Sequence, residues 1–193
     1  MAGVVEACDM WSAFRSLLSP ARRRFMRECG RPALAGLRAR LEATGSRRAI
    51  ALCSTLLDAN REFLAFALSA QGPLSALAPH ATPATVEACL AAMLIFSVNL
   101  FARDEFARNE SELIPLLAKV AQLTTTQVML RRDNLRKAPR SEEWMLYSWM
   151  VTALGAERPA YDGELERRFG YNYLAYIGQY RGIVEREAAR PED

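Results

Sequence analysis

The sequence predicts an all-α fold, a single-domain helical bundle of about eight helices around one central apolar helix at about 83–107. Three observations carry that reading. β-Branched residues are few, and no stretch alternates apolar and polar side chains over six positions, so strand signals are scarce. Ala, Leu, Arg and Glu dominate, and these residues lose little rotamer freedom in a helix. Proline and glycine break the chain at helix-length intervals: Pro20, Gly30 to Pro32, Gly45, Gly72-Pro73, Pro79 to Pro83, Pro139, Gly155 to Pro159, Gly163 and Gly170.

The elements follow in order. Trp11, Phe14 and Leu18 share a face of a first helix near Val4–Leu18. A short basic helix spans about Ala21–Cys29. The next, near Pro32–Ala43, has a first-turn proline and Gly45 beyond its end. A long helix over Arg47–Ala70 puts Ile50, Cys53, Leu57, Leu64 and Leu68 inward, with Asp58, Arg61 and Glu62 as its wet patch. After the Gly72–Pro83 linker, Thr82-Pro83 reads as a cap and first-turn proline for the central helix, Pro83–Ala107. An element apolar all round must be covered all round. Asn109 with Glu112 predicts a capping box for Glu110–Gln122, and Thr124 with Gln127 predicts another for Thr125–Lys137. Ser141 caps the following helix, with Glu142 and Glu143 in its first turn, where the helix dipole favours them. The last helix lies near Tyr171–Ala189, preceded by a turn or two at Tyr161–Phe169.

At 193 residues one domain is expected, with a basic N-terminal segment (1–48), a bundle core (49–189) and a frayed tail (190–193). Charge alternates along it. Residues 1–48 hold 10 basic and 4 acidic side chains, and residues 49–130 hold 4 and 7. Residues 131–140 hold 5 and 1, and residues 141–193 hold 6 and 10. The expected consequence is intramolecular: basic helices lie against acidic ones across the bundle surface.

Composition narrows the chemistry. The single histidine, His80, stands between Pro79 and Pro83 and reads as a surface loop residue without an orienting partner for catalysis. One imidazole removes most zinc and non-haem iron sites. The cysteines Cys8, Cys29, Cys53 and Cys89 form no C-x-x-C pair, and the N-terminus lacks the pattern of a secretory signal. A reducing, cytoplasmic setting with buried thiols is expected, as is the absence of cofactor, metal and catalytic residues. The run Ala88–Ala102 is 15 residues long, short of the ~20 that span a bilayer, so a core helix is expected and a membrane span is not.

Three features point to partners. Leu116 to Arg132 resembles a helix-turn-helix: Ala118 is small where two helices would cross, and Leu117, Ala121, Leu123 and Val128 sit at its buried positions. The resemblance implies that Thr125, Thr126, Gln127, Arg131 and Arg132, with Lys137 beyond them, face nucleic acid. It departs from the motif at Gln122, where glycine is usual, and at Arg131, where an apolar residue is usual. Arg22, Arg23, Arg24 and Arg27 form a basic cluster, either a solvated face or a surface for an acidic partner. Tyr173, Tyr176 and Tyr180 share a helical face, either core or a partner surface that includes self-association. The leading expectation is a non-enzymatic protein–protein interaction or regulatory domain acting through its surface or a groove. The alternative is a DNA-binding regulator using residues 116–137.

Overall fold

The structure is a computed structural model that describes residues 20–43, 45–101, 108–137 and 141–189. Eight α-helices run through those residues: α1 (Pro20–Phe25), α2 (Arg31–Glu42), α3 (Arg47–Ala67), α4 (Pro83–Phe101), α5 (Glu110–Ala121), α6 (Thr125–Arg136), α7 (Glu142–Ala153) and α8 (Gly163–Ala189). No strand occurs among the described residues. The first predicted helix (Val4–Leu18), residues 102–107 of the predicted central helix and the tail lie outside them.

The apolar α4 is the centre. Every residue from Cys89 to Asn99 is buried, and α2, α3, α5, α6 and α7 all pack on this helix. Each large side chain enclosed there, such as Leu90, Ile95 or Phe96, contributes roughly 1.5–3 kcal/mol. Pro83–Leu100 is long and apolar enough to cross a membrane by length and composition, with mean hydropathy 1.6, but 67% of it is buried inside the protein. Helix α8 closes the bundle against α3 and α7.

Caps set several of these bounds. Thr82 Oγ1 accepts from Thr85 N at 3.2 Å, as its sequence position requires. Thr124 and Gln127 form the expected reciprocal box, at 2.8 and 3.1 Å, and Ser141 Oγ accepts from Trp144 N at 3.2 Å. The box expected at Asn109 does not form. Glu112 instead accepts the backbone N–H of Ser46 at 2.7 Å, so its carboxylate ties the start of α5 to the start of α3.

Other expectations are corrected. The break predicted at Gly30 to Pro32 is absent: a π-helical turn, Met26–Gly30, joins α1 to α2 with helical backbone at Gly30 and Arg31. Arg31 N–H bonds to Met26 O, five residues back. A wide turn just before Pro32 accommodates a ring that has no N–H and would crowd a normal turn. Helix α3 stops at Ala67, not Ala70. Helix α8 starts at Gly163, about eight residues before the expected Tyr171. Asp162 Oδ1 accepts from Glu164 N (3.0 Å) and Leu165 N (3.2 Å) and so caps it. Gly170 sits within α8 for a packing reason: a Cβ there would stand 3.2 Å from Glu143 Cγ on α7.

The predicted wet patch is an ion-pair seam. Arg38 meets Asp58 at 2.5 Å, Arg61 meets Glu62 at 3.0 Å, and Arg22 also bonds Glu62. Arg40 reaches Glu87 on α4 at 2.6 Å and Val120 O at 2.9 Å. The basic N-terminal helices therefore do lie against acidic positions of the bundle.

Candidate functional site

Helices α5 and α6 form a hairpin bent by 106° across a three-residue turn, within the range of helix-turn-helix units. Gln122 takes the left-handed conformation that the turn demands, with φ 55° and ψ 42°. Leu123 N bonds Ala118 O at 2.8 Å and Gln122 N bonds Lys119 O at 3.3 Å. These are the two bonds that close a helix at a left-handed residue. The missing glycine thus changes the cost of the turn and not its shape.

Helix α6 has two faces. Val128, Arg132 and Leu135 are buried, and Arg131 is half-buried. Thr125, Thr126, Gln127, Arg136 and Lys137 face solvent. So do two large apolar residues, Met129 (42% exposed) and Leu130 (56%).

That division corrects the expectation that both arginines face a groove. Arg132 is 7% exposed and bonds Glu110 and, at 3.1 Å, Asp133, so its fork is held inside the hairpin. Arg131 lies over the Trp149 ring, 5.2 Å from its centroid. Burial lowers its proton affinity below the ordinary guanidinium value. The motif's apolar position is thus filled by the stem of an arginine lying on an indole.

The other nominated residues divide too. Arg23, Arg24 and Arg27 are exposed, but Arg22 is buried against Glu62 and ties α1 to α3. Arg24 and Arg27 both meet Glu28, at 2.9 and 3.2 Å. Glu28 sits below the usual carboxylate range because Arg24, then Arg27, hydrogen-bonds it. Tyr173 is fully buried, edge-on to Phe63 with ring centroids 5.0 Å apart, so it belongs to the core. Half-buried Tyr176 stacks on Phe66 at 5.0 Å. The side chain of Tyr180 lies outside the described part of the structure.

A cavity of about 480 Å³ opens beneath the inner face of α6. Its floor is Ala88, Ala91 and Ala92 of α4 with Ala121 at the end of α5 and Leu123 of the hairpin turn. Met145, Ser148, Trp149 and Thr152 of α7 make a wall, and Arg131, Asn134 and Arg158 supply its polar ends. Sequence reasoning did not identify this cavity. The signal was present in Ala88, Ala91 and Ala92, a small-residue face on an otherwise bulky helix, and in an arginine at an apolar motif position.

Among the described residues no group of three or more His, Cys, Asp or Glu is placed to hold a metal. His80 is exposed at the end of a 3-10 turn, Ser75–His80. Cys29, Cys53 and Cys89 are free and buried. Burial pushes the Cys53 thiol up to about 12 and Cys89 higher, so neither is a thiolate near neutrality.

The chain matches no protein-family model, no curated protein and no solved structure.

Proposed function

We propose that this chain is a non-enzymatic helical interaction and regulatory module that engages another protein through the outward face of α6. The carrying observation is the pair Met129 and Leu130, 42% and 56% exposed side by side on a short, doubly braced helix. Large apolar side chains in a polar frame suit a protein partner better than a phosphate backbone. Thr126, Arg136 and Lys137 are exposed on the same segment. The free, buried thiols accord with a reducing compartment such as the cytoplasm.

The test places a photo-crosslinking amino acid at position 130 and, as a control, at exposed Arg167. A discrete protein adduct from position 130, absent from 167 and weakened by Met129→Glu, is expected. No discrete adduct from 130 contradicts the reading.

Nucleic-acid binding is the second reading, favoured by the 106° hairpin with a left-handed turn residue. It would rest on Thr125, Thr126, Gln127, Arg136 and Lys137, because Arg131 and Arg132 are engaged inside. Duplex titration at two ionic strengths decides it. Phosphate contacts release counterions, so real binding weakens steeply with salt. No binding at low salt removes this reading.

A further inference from the structure

The cavity under α6 is large enough for a small organic molecule, since ligand pockets usually run ~300–1,000 Å³. Its chemistry is lopsided. Two guanidinium groups, Arg131 and Arg158, line it, and no acidic residue does.

Arg131 is half-buried, while Arg158 stands exposed at the cavity's edge. Several other buried or half-buried arginines give the contrast to Arg131. Arg22, Arg38, Arg40, Arg61 and Arg132 each meet an Asp or Glu. Among the described residues neither Arg131 nor Arg158 forms an ion pair. For half-buried Arg131, desolvation without a counter-charge is costly, and the indole beneath it compensates only part of that cost.

A second, independent observation lies in the wall. Ser148 is 4% exposed, and its Oγ is buried without a hydrogen-bond partner. Buried hydroxyls are ordinarily matched; this one lies just beneath the cavity wall, where a turn of the side chain would bring it to a ligand acceptor. The neighbouring Thr152 hydroxyl already donates to Ser148 O at 2.9 Å.

We propose that this cavity binds a small organic carboxylate, its apolar body on the alanine floor and Trp149 and its charged head between Arg131 and Arg158. Guanidinium favours carboxylate because the planar fork offers two parallel N–H donors to two oxygens. The alanines leave room without adding polar groups that a hydrocarbon body would strand. The site stands whether or not the outer face of α6 meets a protein.

The test titrates the full chain with octanoate, octan-1-ol and octylammonium, read by tryptophan fluorescence and calorimetry. Saturable octanoate binding is expected, with the alcohol and the ammonium weaker by about tenfold or more. Arg158→Gln, outside every helix, should keep the melting profile and weaken octanoate by about tenfold. Arg131→Gln should weaken it at least as much. If that variant does not fold, Arg158→Gln and the head-group comparison decide the question. The proposal is overturned if octanoate does not saturate at millimolar concentration, if octan-1-ol binds equally well, or if Arg158→Gln binds octanoate unchanged.

Discussion

The phenol of Tyr173 donates to Asn60 Oδ1 at 3.0 Å, and both residues are fully buried although 113 positions apart in the chain. Asn60 Nδ2 in turn donates to Ser97 Oγ at 2.9 Å, and Ser97 Oγ donates to Met93 O at 2.8 Å. One chain of hydrogen bonds therefore ties α8, α3 and α4 together inside the aromatic core. An apolar interface alone tolerates sliding, whereas a buried polar pair with one geometry fixes the register. Tyr173→Phe leaves Asn60 Oδ1 unmatched in that core and should cost about 1–3 kcal/mol. Chemical denaturation measures it, and an unchanged midpoint would mean the bond contributes nothing.

Gln122 is the only non-glycine residue with positive φ among the described residues. Its side chain gains nothing that offsets a conformation glycine adopts freely. Gln122→Gly should stabilise the protein by about 0.5–1 kcal/mol, read as a higher denaturation midpoint at constant slope. A loss of stability would mean that the glutamine side chain makes a stabilising contact.

Arg132 of α6 ties that helix to α5 through Glu110 and also meets its neighbour Asp133, with a side chain 9% exposed against 40% and 42% for the two carboxylates. Arg132→Ala should therefore destabilise folding. Because the carboxylates can rehydrate, the cost should be about 1–2 kcal/mol, below that of a fully buried pair. A variant of unchanged stability would release Arg132 for a surface role.

Alkaline pH should weaken the fold. Burial raises Cys53 from 9.0 to about 12, and Cys89, Tyr147 and Tyr173 shift the same way. The unfolded chain then releases these protons first. Their stabilisation is complete below the ordinary thiol value near 9 and is lost as pH rises toward the folded values. Cys53 alone should contribute a fall of about 1.4 kcal/mol per pH unit between 9 and 12. Denaturation midpoints from pH 8 to 11 check this, and Cys53→Ala should show a shallower slope. Equal slopes would contradict the assignment.

Much of this architecture was legible because local chemistry and packing agree. The α4 run as far as Phe101, Thr82-Pro83, the Thr124–Gln127 box and Ser141 each have a single consistent reading, and each occurs as read among the described residues. The failures share a cause. Pro32, Gly163 and Gly170 are breakers in isolation, yet a π-helical turn, an Asp162 cap and the nearby Glu143 side chain make them compatible with helix. Asp58, Arg61 and Glu62 look solvated on their own helix, but Arg22 and Arg38 arrive from a distant segment to pair with this patch. Periodicity along one helix cannot show which face of α6 a neighbour will cover. Arg131 and Arg132 turned inward because Trp149 and Glu110 lie there.

Both candidate sites hang on α4. The cavity floor is its alanine face, and α6 packs on it. Amide hydrogen exchange across Pro83–Phe101 tests this enclosure most directly. Amides from Cys89 to Asn99 should be the slowest in the protein and open only with global unfolding. Exchange of that segment as fast as the exposed turns of α6 would contradict the enclosure of α4 and remove the footing of both sites.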